Sequence, residues 1–203
     1  ATDLNQPMLD HAMSIGTSRS VAWQQADAMH LPFDDGTFDA VVCQFGAMFF
    51  SDKAAAFAEA RRVLRPGGTF LFNIWDRIED NEFAECVTEA MAGLFPMDPP
   101  RFLARLPHGH HNQSAIATAL SHGGFTGTHF FETVTAQSRA ESSRIVAIAY
   151  CQGTPLRNEI EARDASVLAQ ATDIANAAIG QRFGVDQVTG KIQAIVVAAT
   201  RSA

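Results

Sequence analysis

Apolar positions along the chain switch between strand-like and helical spacing, and the order of the switches predicts an α/β fold. Ala1-Thr2-Asp3-Leu4 reads as the tail of a strand running into a helix. From Gln6 to about Gly16, Met8, Leu9, Ala12, Met13 and Ile15 follow the helical period, with Asn5 as cap, Pro7 in the first turn and Gly16 as stop. Val21 to Gln25 is a short strand ending at Asp27. Asp34-Asp35-Gly36-Thr37 is a turn signal, and Phe38 to Cys43 reads as a strand. The unbroken apolar run Ala40-Val41-Val42-Cys43 predicts that both of its faces are covered. Ser51 or Asp52 caps a helix whose Phe57, Ala60, Val63 and Leu64 face inward, with Glu59, Arg61, Arg62 and Arg65 toward water. Pro66-Gly67-Gly68 then leads into a strand over 69–75, so strand, helix and strand form a parallel crossover.

The second half is more helical. Helices are predicted over 79–93, 114–122 and 142–150, and one of roughly twenty-five residues covers the pattern from Ile160 to Phe183. Phe95 to His111, rich in Pro, Arg and His, reads as a loop or lid. Phe125 to Thr135 alternates like an edge strand, and Ile192 to Ala199 supplies the last strand. No internal repeat is found. The whole, 1–203, reads as one domain carrying a helical and loop insertion at about 79–124 and a helical segment at about 142–183.

Composition narrows the function classes. The apolar fraction of 47% and charged fraction of 18% are those of a globular protein with a substantial core. A formal charge of -7, with basic residues grouped only at Arg61, Arg62 and Arg65, disfavours nucleic acid as a partner. Cys43, Cys86 and Cys151 show no CxxC spacing, which argues against a zinc knuckle or disulfide framework and fits a reducing cytoplasm. No apolar run reaches membrane-spanning length, and a membrane partner is not expected. The sequence leaves the oligomeric state open.

In a parallel sheet, ligands sit beyond the carboxyl ends of the strands. The stretch Ala26 to Gly46, ADAMHLPFDDGTFDAVVCQFG, supplies two such ends, at Asp27 and at Gln44-Phe45-Gly46. It therefore forms half of a small-molecule site.

With ATDLNQPML before it and EARRVLRPGGTFLFNIWD after it, this stretch resembles the class I S-adenosylmethionine-dependent methyltransferases. Within them it is most similar to the methyltransferase type 11 branch related to quinone-biosynthesis enzymes. The resemblance is dense over 1–76 and rests on element order beyond. It implies a Rossmann-like, doubly wound, mostly parallel sheet with helices on both faces and an antiparallel last strand. It also implies S-adenosyl-L-methionine as cofactor and a small-molecule methyl acceptor, with no metal. By position, Asp3, with Leu4 beside it, would accept from the ribose hydroxyls, Asp27 from the adenine amino group, and the Ala28 N–H would donate to a ring nitrogen. Met8 and Met29 would flank the adenine, and Gln44 and Phe45 would lie beneath the sulfonium end. Asp3 could instead cap a helix, Asp27 close a turn, and the methionines serve as core.

The family's first strand and glycine-rich loop, which should precede Ala1, are not found, and the resemblance implies an N-terminally truncated form of a longer enzyme. Methyl transfer needs mainly positioning and exclusion of water. A general base helps when the acceptor is a hydroxyl or an acidic carbon, and His108, His110 and His111 are the candidates, against a reading as solvated loop histidines. As zinc ligands they lack a nearby carboxylate or thiolate in sequence. Trp75 would wall an acceptor pocket or pack under the following helix, and Arg101 and Arg105, with Phe102, would recognise an anionic or aromatic acceptor, against the commoner reading as exposed arginines on a solvated loop. Two rivals stand beside this reading. One is a methyltransferase-like module that binds a nucleoside or a partner without turnover. The other is a nicotinamide-dependent oxidoreductase, for which no GxGxxG is present.

Overall fold

The computed structural model describes residues 1–202. Its elements run in the order β1 (Thr2–Asp3), α1 (Gln6–Ile15), β2 (Gln24–Gln25), β3 (Phe38–Gln44), α2 (Lys53–Val63), β4 (Leu64–Trp75) and α3 (Glu82–Leu94). The short α4 (Phe102–Arg105), then α5 (Gln113–His122), β5 (Phe130–Ser142), α6 (Ser143–Cys151), α7 (Leu156–Arg163), α8 (Leu168–Phe183) and β6 (Asp186–Thr200) complete it. β1 and β2 pair in parallel as a separate two-stranded sheet. The main sheet has the order β3-β4-β6-β5, with β3 parallel to β4 and β6 antiparallel between β4 and β5. The α/β class and the antiparallel last strand are thus as the sequence implies.

Strand alternation decides which face is covered. On one face Phe70, Phe72, Ile74, Ile195, Val197 and Ala199 are buried against α2 and α5. Phe57 of α2 packs on Phe70 and Phe72 with ring centroids 5.5 and 5.2 Å apart, and Phe125 stacks on Phe70 at 5.8 Å. Burial of each such ring contributes about 1.5–3 kcal/mol. Gly123 is what lets α5 end this close, since a Cβ there would stand 2.7 Å from that of Phe57. The opposite face carries Val42, Leu71, Phe130 and Val134, all exposed, and Val42 is 68% exposed. β3 therefore has one covered face among the described residues, where its apolar run predicts two.

A second core lies in a helical lobe. Phe83, Val87, Met91, Ala147, Cys151, Ile160, Ala171, Ala175 and Ile179 interdigitate from α3, α6, α7 and α8. The buried amide of Asn81 joins this lobe to the sheet. Its Nδ2 donates to the carbonyls of Asp76, Arg77 and Gln193, and its Oδ1 accepts from the N–H of Gln193.

Several elements differ from their sequence signatures: β4 and β6 begin at Leu64 and Asp186, before the predicted starts at Thr69 and Ile192, and α4 lies in the stretch read as a loop. The predicted long helix is two, because Asp164 Oδ1 accepts from the N–H and hydroxyl of Ser166 and closes a turn that competes with the helix. β5 starts five residues later and ends seven later than its alternation suggests, since its length is set by hydrogen bonding to β6 as far as Ser142 opposite Asp186. β2 is two residues long because β1 offers only two partners. Asn5 occupies the cap position of α1 without a side-chain cap, whereas Asp52 caps α2 by accepting from Ala55.

Replacing Asn81 by Ala removes four hydrogen bonds and strands buried partners, each at roughly 1–3 kcal/mol before relaxation. Urea unfolding of Asn81→Ala is expected to show a loss of about 2–4 kcal/mol. A loss under about 0.5 kcal/mol, the size of an ordinary surface change, would show that the amide does not join the two lobes.

Candidate functional site

The parallel pairing of β1 and β2 sets Asp3 opposite Gln25, two residues before Asp27. Each of the two carboxylates is half engaged. Asp3 Oδ1 accepts from the N–H of Asn5 at 2.8 Å, and Asp27 Oδ1 from the N–H of Met29 at 2.9 Å. The second oxygen of Asp3 has no protein partner among the described residues, and that of Asp27 meets only the exposed His30 ring at 3.9 Å. The N–H of Ala28 between them donates to no protein acceptor among the described residues. Asp27 does close the turn that its residue type suggests, and it keeps one oxygen for a ligand. A free carboxylate oxygen beside a free N–H is complementary to an adenine edge, which offers an amino donor and a ring-nitrogen acceptor. The residues present therefore fit the adenosyl half of S-adenosylmethionine.

This unit is fastened to the main sheet by one arginine. Arg62 of α2 donates to the carbonyls of Leu31 and Phe33 and to the carboxylates of Asp35 and Glu59, while Glu59 accepts from the N–H of Leu31 at 2.8 Å. The Arg62 contact holds the Glu59 carboxyl below the ordinary carboxylate range. Helical periodicity places Arg62 toward water, and the structure corrects this: the guanidinium holds the loop that follows β2. Pro32 in that loop is exposed, with Leu31 and Phe33 half-buried beside it.

Beyond β3 the chain makes a sharp turn. Phe45 has a left-handed backbone, φ 49°, unusual for a bulky residue. Its N–H donates to both the carbonyl and the side chain of Asn73, and its ring stacks on Trp75 at 4.1 Å. Gly46 follows because a Cβ there would come 2.9 Å from Cys43 Sγ. Burial raises the pKa of that thiol, so Cys43 stays protonated and is no nucleophile. Next to Trp75 opens a cavity of about 310 Å³ lined by Phe49, Trp75, Phe102, Leu103, His108 and Tyr150, among others.

Of the residues expected at a site, Asp3, Leu4, Asp27, Ala28 and Met29 come together through β1 and β2, where Gln25 Nε2 also donates to the Leu4 carbonyl. Met29 Sδ accepts from Ser51. Met8 lies on α1 with its side chain 57% exposed. Gln44 and Phe45 stand on the other sheet, at the end of β3. Among the three histidines, His108 lines the cavity, His111 Nδ1 lies 2.8 Å from the His108 carbonyl, and His110 has a buried Nε2 with no partner. Arg105 is committed to Glu159, whose other oxygen accepts from the N–H groups of Arg101 and Phe102. That pairing occupies the Arg105 side chain, while Arg101 contributes only its backbone N–H. Tyr150 and Asn81 were not foreseen. Tyr150 sits on the inner stripe of a helix that sequence periodicity finds, yet nothing local says which cavity it meets.

Comparison with known proteins finds similarity to methyltransferases. A family profile described as a methyltransferase domain matches residues 1–72. The ubiquinone/menaquinone biosynthesis C-methyltransferase UbiE of Haemophilus ducreyi is 32% identical over 142 residues, 64% of this chain and 55% of the relative. The chain spans about half the length of the curated relatives it matches. Among solved structures, the YcgJ protein from Bacillus subtilis superposes with a TM-score of 0.56 at 20% identity, covering 100% of this chain and 81% of that one. A Haemonchus contortus phospholethanolamine N-methyltransferase 2 in complex with S-adenosylhomocysteine gives 0.50 at 16% identity, covering 100% and 43%. Over residues 1–72 the chain is thus similar to methyltransferase domains, and its fold is that of solved methyltransferase-like structures.

Burial, with Lys53 and His111 nearby, pushes the His110 pKa from 6.5 down to about 4. An unfolded His110 binds its proton near 6.5, so the unfolded state gains protons first and stability falls as pH drops from 6.5 toward 4. Thermal melts at pH 7 and pH 5 are expected to show a smaller difference for His110→Gln than for the parent. Equal differences in the two proteins would remove His110 as a source of acid lability.

Proposed function

We propose that this protein transfers the methyl group of S-adenosylmethionine to a small, largely uncharged acceptor. The observation that carries the reading is the pair of half-engaged carboxylates, Asp3 and Asp27, at the ends of adjacent parallel strands, with the unpaired Ala28 N–H next to Asp27. S-adenosylmethionine, when bound, supplies a methyl on an already activated sulfonium. Asp3 would hold the ribose hydroxyls, Asp27 and Ala28 the adenine edge, and Met29 one face of the ring. Phe45, fixed by Asn73, and Trp75 would shape the boundary between cofactor and acceptor and exclude water. The cavity beyond Trp75 is predominantly apolar and aromatic, which suits an acceptor with a ring. That the relatives are named C-methyltransferases of quinone biosynthesis supports a flat aromatic acceptor.

Other parts of this reading rest on coarser support. The net charge of -7 favours a small-molecule acceptor over nucleic acid. No helix among the described residues is long and apolar enough to cross a membrane. We place the protein in the cytoplasm on its three unpaired cysteines, two of them buried. One observation favours the non-catalytic rival: β1 and β3 share no hydrogen bonds, so the adenosine end and the turn at Phe45 stand on separate sheets.

Calorimetric titration with S-adenosylhomocysteine tests the assignment. Asp3→Asn and Asp27→Asn are each expected to weaken binding by roughly tenfold or more, the loss of a charge-assisted hydrogen bond. Tritiated methyl transfer separates turnover from binding alone. Unchanged affinity in both variants, or thermal protection by NAD and none by S-adenosylhomocysteine, would sink the reading.

A further inference from the structure

The cavity beside Trp75 contains one polar group whose protonation the fold itself selects. His108 is buried, with 5% of its surface exposed, and its Nδ1 lies 2.8 Å from the backbone carbonyl of Asp76. A carbonyl oxygen only accepts, so the hydrogen of the neutral ring is on Nδ1 and the lone pair is on Nε2. Nε2 has no protein partner among the described residues and is not sealed from solvent, and His108 lines the cavity. The carbonyl that selects this tautomer is itself fixed. Asn81 donates to it from below, and the Asp76 carboxylate is held by Gln193 Nε2 at 2.8 Å and by the N–H of Arg77.

The groups around the ring keep it uncharged. Trp75 from β4 and Tyr150 from α6 line the same cavity, and Trp75 lies with its ring centroid 6.1 Å from that of His108. Burial lowers the His108 pKa and raises that of the Tyr150 hydroxyl. His111 adds to the lowering at His108, while the Asp76 carbonyl and the charges of Asp76 and Glu79 oppose it. At neutral pH the cavity thus presents a neutral base, Nε2, and a neutral phenol donor within an apolar wall.

We infer that His108 Nε2 is the proton acceptor of the methyl-transfer step, acting on an uncharged acceptor that bears an ionisable hydroxyl on an aromatic or enolic ring. This rests on the proposed function above and adds the acceptor's chemical class and the base. The acceptor O–H bond breaks and its proton moves to Nε2. An electron pair of the resulting phenolate or enolate, on oxygen or on the adjacent ring carbon, forms the new bond to the methyl carbon. The carbon–sulfur pair withdraws onto sulfur and leaves neutral S-adenosylhomocysteine. Where carbon is methylated, its C–H proton is then lost to water and the ring regains conjugation. The imidazolium returns its proton to solvent at the cavity mouth. Asn81 and the Asp76 carbonyl act as positioning groups, since they touch the base and not the acceptor.

The discriminating variant is His108→Asn, because the Asn amide reproduces the Nδ1–H donor to Asp76 and lacks Nε2. The probe is 4-nitrophenol, whose ionised form is read by its visible absorbance with no cofactor present. Bound to the parent protein, it is expected to ionise at a lower pH than in free solution, and His108→Asn is expected to abolish that shift while retaining binding within about threefold. Nitrogen-15 spectra of the parent alone are expected to show the Nδ1–H tautomer, with Nε2 gaining a proton when the phenol binds. In methyl transfer to a phenolic acceptor by the full protein, His108→Asn should cost on the order of a hundredfold in rate and remove the acidic limb of the pH profile, with S-adenosylhomocysteine affinity unchanged.

An Nε2–H tautomer, failure of the parent to bind 4-nitrophenol, or an identical ionisation shift or pH profile in parent and His108→Asn would each overturn the assignment. If His108→Asn does not fold, the nitrogen spectra of the parent still decide. If the phenol shift is present and no methyl is transferred to any acceptor, the proposed function fails and the methyl-transfer role of His108 with it, while Nε2 remains a proton acceptor for a bound phenol.

Discussion

A buried amide is a central tie between the sheet and the helical lobe, beside the Lys191 contacts to Glu82 and Asp80. Asn81 follows the loop at the end of β4 and precedes α3, so its four hydrogen bonds tie the sheet, through Gln193 of β6, to the lobe that supplies one wall of the cavity. The two hydrophobic cores are otherwise separate clusters, one of phenylalanines on the sheet and one of aliphatic side chains between helices. A buried amide with every group satisfied also specifies geometry, because any shift of the lobe leaves a polar atom unpaired in an apolar setting. The lone polar contact that sets the His108 tautomer is made to a carbonyl that this amide also holds.

The candidate site is assembled from parts with different attachments. Asp3 and Asp27 stand on a two-residue strand pair whose helix, α1, buries only Leu9. That pair depends on Arg62 and Glu59 for its position against α2. The cavity stands on β4, α4 and α6 within closely packed surroundings. Under the proposed function, a ligand held by both aspartates would also order the unit that carries them.

Much of the fold was legible in the chain. β3, α2, α3, α5 and α6 follow from periodicity and caps because each has an apolar stripe on a covered face, and α1 follows from the same signals although only Leu9 is covered. The boundaries of β5, the break between α7 and α8 and the length of β2 were not legible, since they are set by a hairpin partner, by an Asp164–Ser166 turn and by the extent of β1 respectively. At the site, the place of Asp27 after a strand was readable from the chain, whereas Asp3 came from the resemblance. Choosing His108 from the three neighbouring histidines required the position of one backbone carbonyl, and no sequence pattern carries that. Arg62 misled for a related reason: one turn of helix faces water in general, yet the loop after β2 occupies that water.

The uncovered face of the main sheet has a consequence of its own. β3 is an edge strand with its backbone groups open on one side, and beside it Val42, Leu71 and Phe130 form a row of apolar side chains in contact with solvent. An open ladder next to an apolar surface is a template for any extended segment that can add to it.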